Sequence, residues 1–158
     1  MAIHMELADP RHPDVRQLLL TGHTAMQALF PAKRQTRFSV EPLLADGVHV
    51  IVARAEGRAV GCCALFLGGA FAELKKLYVV PEARRRGAAD QLVAQAEAFA
   101  KDAGFAQLKL ETGVTLSAAH RLYARRGFTR CDAFGNHVAS SESLFLAKSL
   151  VAKATRTA

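Results

Sequence analysis

Along the 158 residues, stretches of alternating apolar and polar positions give way to stretches of helical period, which predicts an α/β chain. Ile3 to Leu7 reads as a short first strand. Asp9-Pro10 marks a turn, and Pro13 suits the first turn of a helix running to about Phe30, with Val15, Leu18, Leu19, Met26 and Leu29 on its apolar face. The stretch 30–35 breaks that helix, and Val40 to Ala45 could form a second, short one. Val48 to Ala55 and Arg58 to Leu67 are two strands around Glu56-Gly57, a two-residue hairpin signal. Gly68-Gly69 then turns the chain into Glu73 to Val80, where Leu74, Leu77, Tyr78, Val79 and Val80 suit a largely buried strand.

Pro81 ends that strand, because it has no N–H to donate. Arg84, Arg85 and Arg86 lead into Gly87, and from Ala88 onward Leu92, Val93, Ala96, Phe99, Ala100 and Ala103 share one helical face. Gly104 stands where a glycine stops a helix. Ala106 to Glu111 is the next strand, broken at Thr112-Gly113; Ser117 to Arg126 is a helix ended by Gly127; Phe128 to Cys131 and Ser143 to Leu150 close the sheet. Val151 to Ala158 is expected to be a frayed tail.

A length of 158 residues, 51% hydrophobic and 22% charged, fits a single folded domain over 1–158 with a core of its own. No apolar run approaches the ~18 residues of a membrane span and no signal-peptide layout opens the chain, so the cytoplasm is the expected compartment, with no membrane partner. Cys62 and Cys63 are strand neighbours that point to opposite faces, and the histidines are scattered, so neither a bridge between those cysteines nor a metal site is expected. The net charge of +7 admits nucleic-acid binding. The basic residues nevertheless gather at Arg84 to Arg86 and Arg121 to Arg126 rather than in a stripe with aromatics, and an anionic cofactor accounts for the first cluster.

The turn at 84–89 is suited to phosphate. A helix start has unpaired N–H groups and a partial positive charge, a glycine admits close approach, and three arginines raise the potential. An ordinary strand–turn–helix with solvated arginines has the same pattern. The wider context favours the first reading: Arg84-x-x-Gly87-x-Ala89 resembles the Arg/Gln-x-x-Gly-x-Gly/Ala signature of the GNAT N-acetyltransferases. The resemblance extends through ELKKLYVVPEARR before it, LKLETG at 108–113 and AAHRLYARRGF at 118–128, and covers at least residues 48 to 150. A further pattern, F-G-x-Y followed by S-x-F-M in a bacterial group of the family, is met here by Phe134-Gly135-Asn136-His137 and Ser143-Leu144-Phe145-Leu146.

The resemblance implies the GNAT fold: a mixed, twisted sheet of six or seven strands with about four flanking helices, splayed beside the phosphate-binding strand. It also implies acetyl-CoA as cosubstrate, no metal, and attack of a small-molecule or peptide amine on the thioester, with a homodimer as a common assembly. Residue by residue, Leu77, Tyr78 and Val79 would offer backbone groups to the pantetheine arm, and Arg84, Arg85, Arg86, Gly87, Ala88 and Ala89 would wrap the pyrophosphate. Glu73 is the first candidate for the base that neutralises the amine, against a surface glutamate paired with a lysine; Glu111 is the second, and Glu82 reads as solvated. Tyr123, in the L-Y-x-x-x-G-F match, is the candidate acid for the leaving thiolate, or else a packing tyrosine. Two departures stand out. Arg85 replaces a glycine common in relatives, and Leu116 to Ala119 lack the usual asparagine, leaving Ser117 as a weak substitute. They keep open a rival reading, a coenzyme A-binding module without catalysis. His23, Lys33, Arg34 and Arg37 could face a ligand, and His137 stands where the family tyrosine would, near the acceptor mouth.

Overall fold

The computed structural model describes residues 2–30 and 36–151; the helix-breaking stretch 31–35, with Lys33 and Arg34, and the tail 152–158 lie outside the described residues. Seven strands and three α-helices follow in the order β1 (Ile3–Ala8), α1 (Pro13–Leu29), β2 (Val48–Ala55), β3 (Arg58–Phe66), β4 (Ala72–Val79), α2 (Ala88–Asp102), β5 (Gln107–Gly113), α3 (Ser117–Arg125), β6 (Thr129–Arg130) and β7 (Ser143–Ser149). The short segment expected at Val40 to Ala45 is a 3-10 turn over Glu41–Leu44, so the described α-helices number three where about four helices were expected. The sheet order is β1-β2-β3-β4-β5-β7-β6, antiparallel except for the parallel pair β4–β5.

The β2–β3 hairpin forms where expected because Glu56 and Gly57 both take positive φ, 53° and 80°, as a two-residue loop requires. Alternation along β2 and β3 then builds two cores. Ile51, Cys63 and Leu65 face α2, under Leu92, Val93 and Ala96, whereas Val50, Val52, Cys62 and Ala64 face α1, under Val15, Leu18 and Leu19. Cys62 and Cys63 therefore lie on opposite faces, as free thiols. Burial pushes the Cys62 thiol up to about 12, and Cys63 is raised by the same cause, so both behave as small hydrophobes.

At the start of α1, Arg54 reaches across from β2 to Glu6 and to Asp14, with Nη1 2.6 Å from Asp14 Oδ2. The Arg54 hydrogen bond holds the Asp14 carboxyl at about 2, against the opposing effect of burial. A folded value below the unfolded one means the contribution is present above about pH 3.9 and fades as pH falls toward the folded value. With 40% of the Asp14 side chain exposed, screening limits it to less than about 1 kcal/mol. Asp14→Asn is thus expected to lower urea stability slightly at pH 7, with the gap closing toward pH 2; a gap independent of pH would locate its origin outside the ion pair.

The feature that shapes the functional region is the incomplete β4–β5 ladder. Pairing covers Ala72↔Leu108, Glu73↔Lys109 and Leu74↔Leu110, and stops there. On the other edge of β4 the register slips between Cys62 and Ala64, and Lys76 takes φ 59°, a bulge that bends the strand away from its parallel neighbour. From Lys75 onward β4 presents an edge that β5 does not pair.

Candidate active site

A cavity of about 410 Å³ occupies the gap between the diverging strands. β4 lines it from Glu73 to Tyr78, β5 from Glu111 to Gly113, and α1 covers it. Two glycines permit the close packing of this wall. A Cβ on Gly22 would stand 3.0 Å from Cβ and Cγ of Tyr78, and one on Gly113 would stand 2.2 Å from the tip of the Phe30 ring. The sequence marks Gly113 only as a strand break, and Gly22 not at all. Gln27 donates its amide N–H to the Thr36 carbonyl at 3.1 Å, and His23 Nε2 lies 2.9 Å from the same oxygen, so the chain beyond the breaker segment is tied to α1. His23 lines the cavity; Arg37 is exposed and away from it.

The two candidate carboxylates meet here. Glu73 is in register with Lys109, so Glu111, two residues further along β5, projects from the same face. Between them sits His137, with Nε2 2.7 Å from Glu73 Oε2 and Nδ1 3.6 Å from Glu111 Oε1. Lys75 Nζ lies 3.8 Å from the same Glu73 oxygen. All three acid–imidazole partners are sheltered, with side-chain exposures of 16% for Glu73, 20% for Glu111 and 23% for His137. A tight turn closed by His137 N–H to the Phe134 carbonyl, 3.1 Å, delivers the ring. Phe134 stands edge-on to Phe71 at 5.2 Å, to Phe145 at 5.6 Å and to His137 at 5.1 Å. Phe145 is in turn the cross-strand partner of Glu111. The Phe134–His137 and Ser143–Leu146 patterns of the sequence are thus two sides of one aromatic wedge. Glu82 is exposed, 3.9 Å from Arg58, and takes no part.

Tyr123 enters the cavity wall from α3, on the other side of the sheet. It is 6% exposed and its ring is edge-on to Phe128 at 5.5 Å. Burial, more than the neighbouring Cys63 thiol, raises its pKa above the ordinary phenol value, so the hydroxyl keeps its proton. The splay makes this meeting possible: an intact ladder would separate Tyr123 from the two glutamates on the opposite face.

At the end of β4, Gly87 caps α2 with φ 82° and Arg85 takes φ 65°. The first intrahelical bond runs from Gln91 N–H to Gly87 O at 3.0 Å, and no side chain caps this end. The N–H groups of Ala88 and Ala89 thus belong to an uncapped helix start, flanked by the exposed Arg85 and Arg86. Arg84 differs from them: its Nε donates to the Val79 carbonyl at 2.9 Å and its guanidinium lies 5.8 Å from the centre of the Tyr78 ring, pinning the turn onto β4. Leu77 and Tyr78 line the cavity, whereas Val79 is buried beside it. Ser117 opens α3 on the outside, exposed and off the cavity, so the structure does not bring it to the other site residues. Among the described residues, no group of three or more His, Cys, Asp or Glu side chains could hold a metal ion, and no helix is long and apolar enough to cross a membrane.

The family model described as "Acetyltransferase (GNAT) family" matches residues 13–128. An IAA acetyltransferase of Azospirillum brasilense is 33% identical over 143 residues, 89% of this chain and 94% of that protein. Among solved structures, a Klebsiella pneumoniae chain provisionally named an acyl-CoA N-acyltransferase has a TM-score of 0.76 at 27% identity, covering 94% of this chain and 98% of its own. A PaiA N-acetyltransferase of Thermoplasma acidophilum, solved with coenzyme A, shares the fold with a TM-score of 0.75 at 19% identity, covering 94% and 99%. The chain belongs to the GNAT family of acetyltransferases. It is an N-acetyltransferase that uses acetyl-CoA as its cosubstrate.

Proposed function

We propose that this chain, acting as a single domain, transfers acetyl to a primary amine of a small molecule or peptide, with Glu73 as the base and Tyr123 as the acid. The observation that supports this reading is the gap between β4 and β5, where a sheltered carboxylate and a protonated phenol line one cavity. An alkyl amine with a pKa of ~10.4 must lose a proton at pH 7, at a cost of about 4.6 kcal/mol. Glu73 takes that proton. The nitrogen lone pair then attacks the thioester carbon, the C–S bond breaks, and the departing sulfur takes the Tyr123 proton. In this reading the unpaired edge of β4 at Leu77 and Tyr78 holds the pantetheine arm as a neighbouring strand would, and the start of α2 at Gly87, Ala88 and Ala89 holds the pyrophosphate.

Arg125 pairs with Asp90 at 3.0 Å and Arg126 with Glu97 at 2.6 Å, so part of the second basic cluster is neutralised within the protein, which favours a small anionic cofactor over nucleic acid as the basic chain's partner. The free thiols at Cys62, Cys63 and Cys131 suit a reducing cytoplasm. Two observations favour a second reading, a coenzyme A-binding module without turnover: Arg85 holds a left-handed conformation where relatives commonly have glycine, and Ser117 does not reach the cavity.

Acetyl-CoA at 100 times its Kd is expected to stabilise the fold by about 2.7 kcal/mol, read as a raised Tm. Acetylated product detected by mass spectrometry from a panel of tyramine, putrescine and lysine amide would establish transfer. A raised Tm with no product from any amine would favour the module, and an unmoved Tm would defeat the assignment of this cleft.

A further inference from the structure

Whatever takes a proton from the amine must also release it, and the surroundings of Glu73 restrict how. Its side chain is 16% exposed, and among the described residues Oε2 faces two groups, His137 Nε2 at 2.7 Å and Lys75 Nζ at 3.8 Å. A charged ammonium can donate but not accept, so of the two only the imidazole can receive a proton from Glu73 and later surrender it. Its second nitrogen faces a carboxylate: Nδ1 lies 3.6 Å from Glu111 Oε1, within ion-pair range but beyond a hydrogen bond. Once Glu73 has taken the amine proton, its carboxyl O–H can donate to Nε2 across the 2.7 Å contact, while the Glu111 carboxylate favours a proton on Nδ1.

We propose that His137 is a proton relay behind Glu73, oriented by Glu111, so that the two acidic residues have unlike roles: one meets the amine and the other sets the imidazole tautomer. The inference rests on the reading of Glu73 as the base. Among the described residues, the charged groups facing the imidazole are Glu73 and Lys75 from β4 and Glu111 from β5; Lys109, also on β5, lies over the Phe71 and Phe134 rings at 4.6 and 5.6 Å. β7 contributes the Phe145 ring at 5.9 Å.

An N–H bond of the ammonium breaks, its electron pair stays on nitrogen, and the proton passes to a Glu73 oxygen and then to Nε2. The resulting imidazolium lies between two carboxylates, which oppose its charge from either side. The nitrogen pair forms the new C–N bond while the C–S pair leaves on sulfur, which is protonated by Tyr123. The second N–H proton of the tetrahedral intermediate restores the phenol. His137 releases its proton to water once the product has left, so one proton is liberated per amide formed. A purely structural ring would need neither nitrogen, because the stacking on Phe134 and Phe145 is available to any aromatic side chain.

The test uses the full chain with acetyl-CoA and the fastest amine among tyramine, putrescine and lysine amide. His137→Phe keeps the stacking and removes both nitrogens. It is expected to lower kcat about 10²-fold at pH 7, with the KM for acetyl-CoA unchanged, and to regain most of the loss near pH 9.5, where more amine is already neutral. In His137→Ala, added imidazole should restore part of the rate. A loss that neither imidazole nor high pH reverses marks a structural ring and overturns the relay, as does His137→Phe with the wild-type pH profile. Glu73→Gln separates this proposal from the one beneath it. If Glu73→Gln is impaired and His137→Phe is not, the base stands and the relay falls; if Glu73→Gln is unimpaired, the base reading falls and takes the relay with it.

Discussion

Replacing Glu73 by glutamine is expected to lower kcat/KM about 10²- to 10⁴-fold at pH 7. The amide keeps the shape of the side chain and can still meet His137 and Lys75, which lie 2.7 and 3.8 Å from the carboxylate, but it cannot accept a proton. The loss should shrink as pH rises, because the solvent then does what the carboxylate did. Tyr123→Phe is expected to behave differently. The variant keeps the edge-on contact with Phe128 and, if Tyr123 is the acid, loses the proton meant for the sulfur, so kcat should fall with little change in KM and without recovery at high pH. Because the two residues are assigned to successive proton transfers of one reaction, the double variant should lose less than the product of the single losses. A Glu73→Gln enzyme at full rate from pH 6 to 9.5 would show that another group deprotonates the amine.

The second large effect concerns the helix start. Gly87 has φ 82°, and a Cβ there would meet nothing closer than the Gln91 side-chain nitrogen at 3.9 Å. Space is therefore not the obstacle to Gly87→Val; the left-handed backbone is, at a cost of about 1–3 kcal/mol for a β-branched residue. A turn that relaxes to relieve this strain re-aims the N–H groups of Ala88 and Ala89. If they hold the pyrophosphate, the KM for acetyl-CoA should rise roughly 5- to 150-fold. Gly104 provides the control. It sits at φ 93° just beyond the other end of α2, also with open space, so Gly104→Val carries a similar strain and should leave the KM alone. Equal KM values in the two variants would locate the phosphates elsewhere.

Much of the fold was legible because local chemistry and the final sheet agree. The Glu56-Gly57 hairpin places β2 at its expected bounds and β3 to within a residue, and Gly87 and Gly104 bracket α2. The expected break at Thr112-Gly113 is instead the end of β5, paired as far as Gly113 with Ser143. That glycine reads as a turn signal, yet it is there because the Phe30 ring leaves no room for a Cβ. The bulge at Lys76 had no signal, since lysine is not a residue that marks a positive φ. At the site, Glu73, Glu111 and Tyr123 were singled out through the family resemblance, and all three line the same cavity. The contact of His137 with Glu73 was not: it joins residues 64 apart through a loop whose path depends on Phe134 docking against Phe71 and Phe145. Ser117 failed for the opposite reason, since helical phase turned it outward.

The short β4–β5 pairing has a consequence beyond catalysis. With three paired residues along that line, the sheet is mechanically two ribbons, β1 through β4 and β5 with β7 and β6, sewn by a brief seam and bridged by α2. Amides along the unpaired length of β4 are open to exchange and, when the ribbons part, to proteases. A molecule lodged between the ribbons supplies the stitches that the backbone omits. By mass action, whatever fills the cleft is expected to lower the population of the parted state. If acetyl-CoA is what lodges there, limited proteolysis of the chain is expected to slow as acetyl-CoA is added.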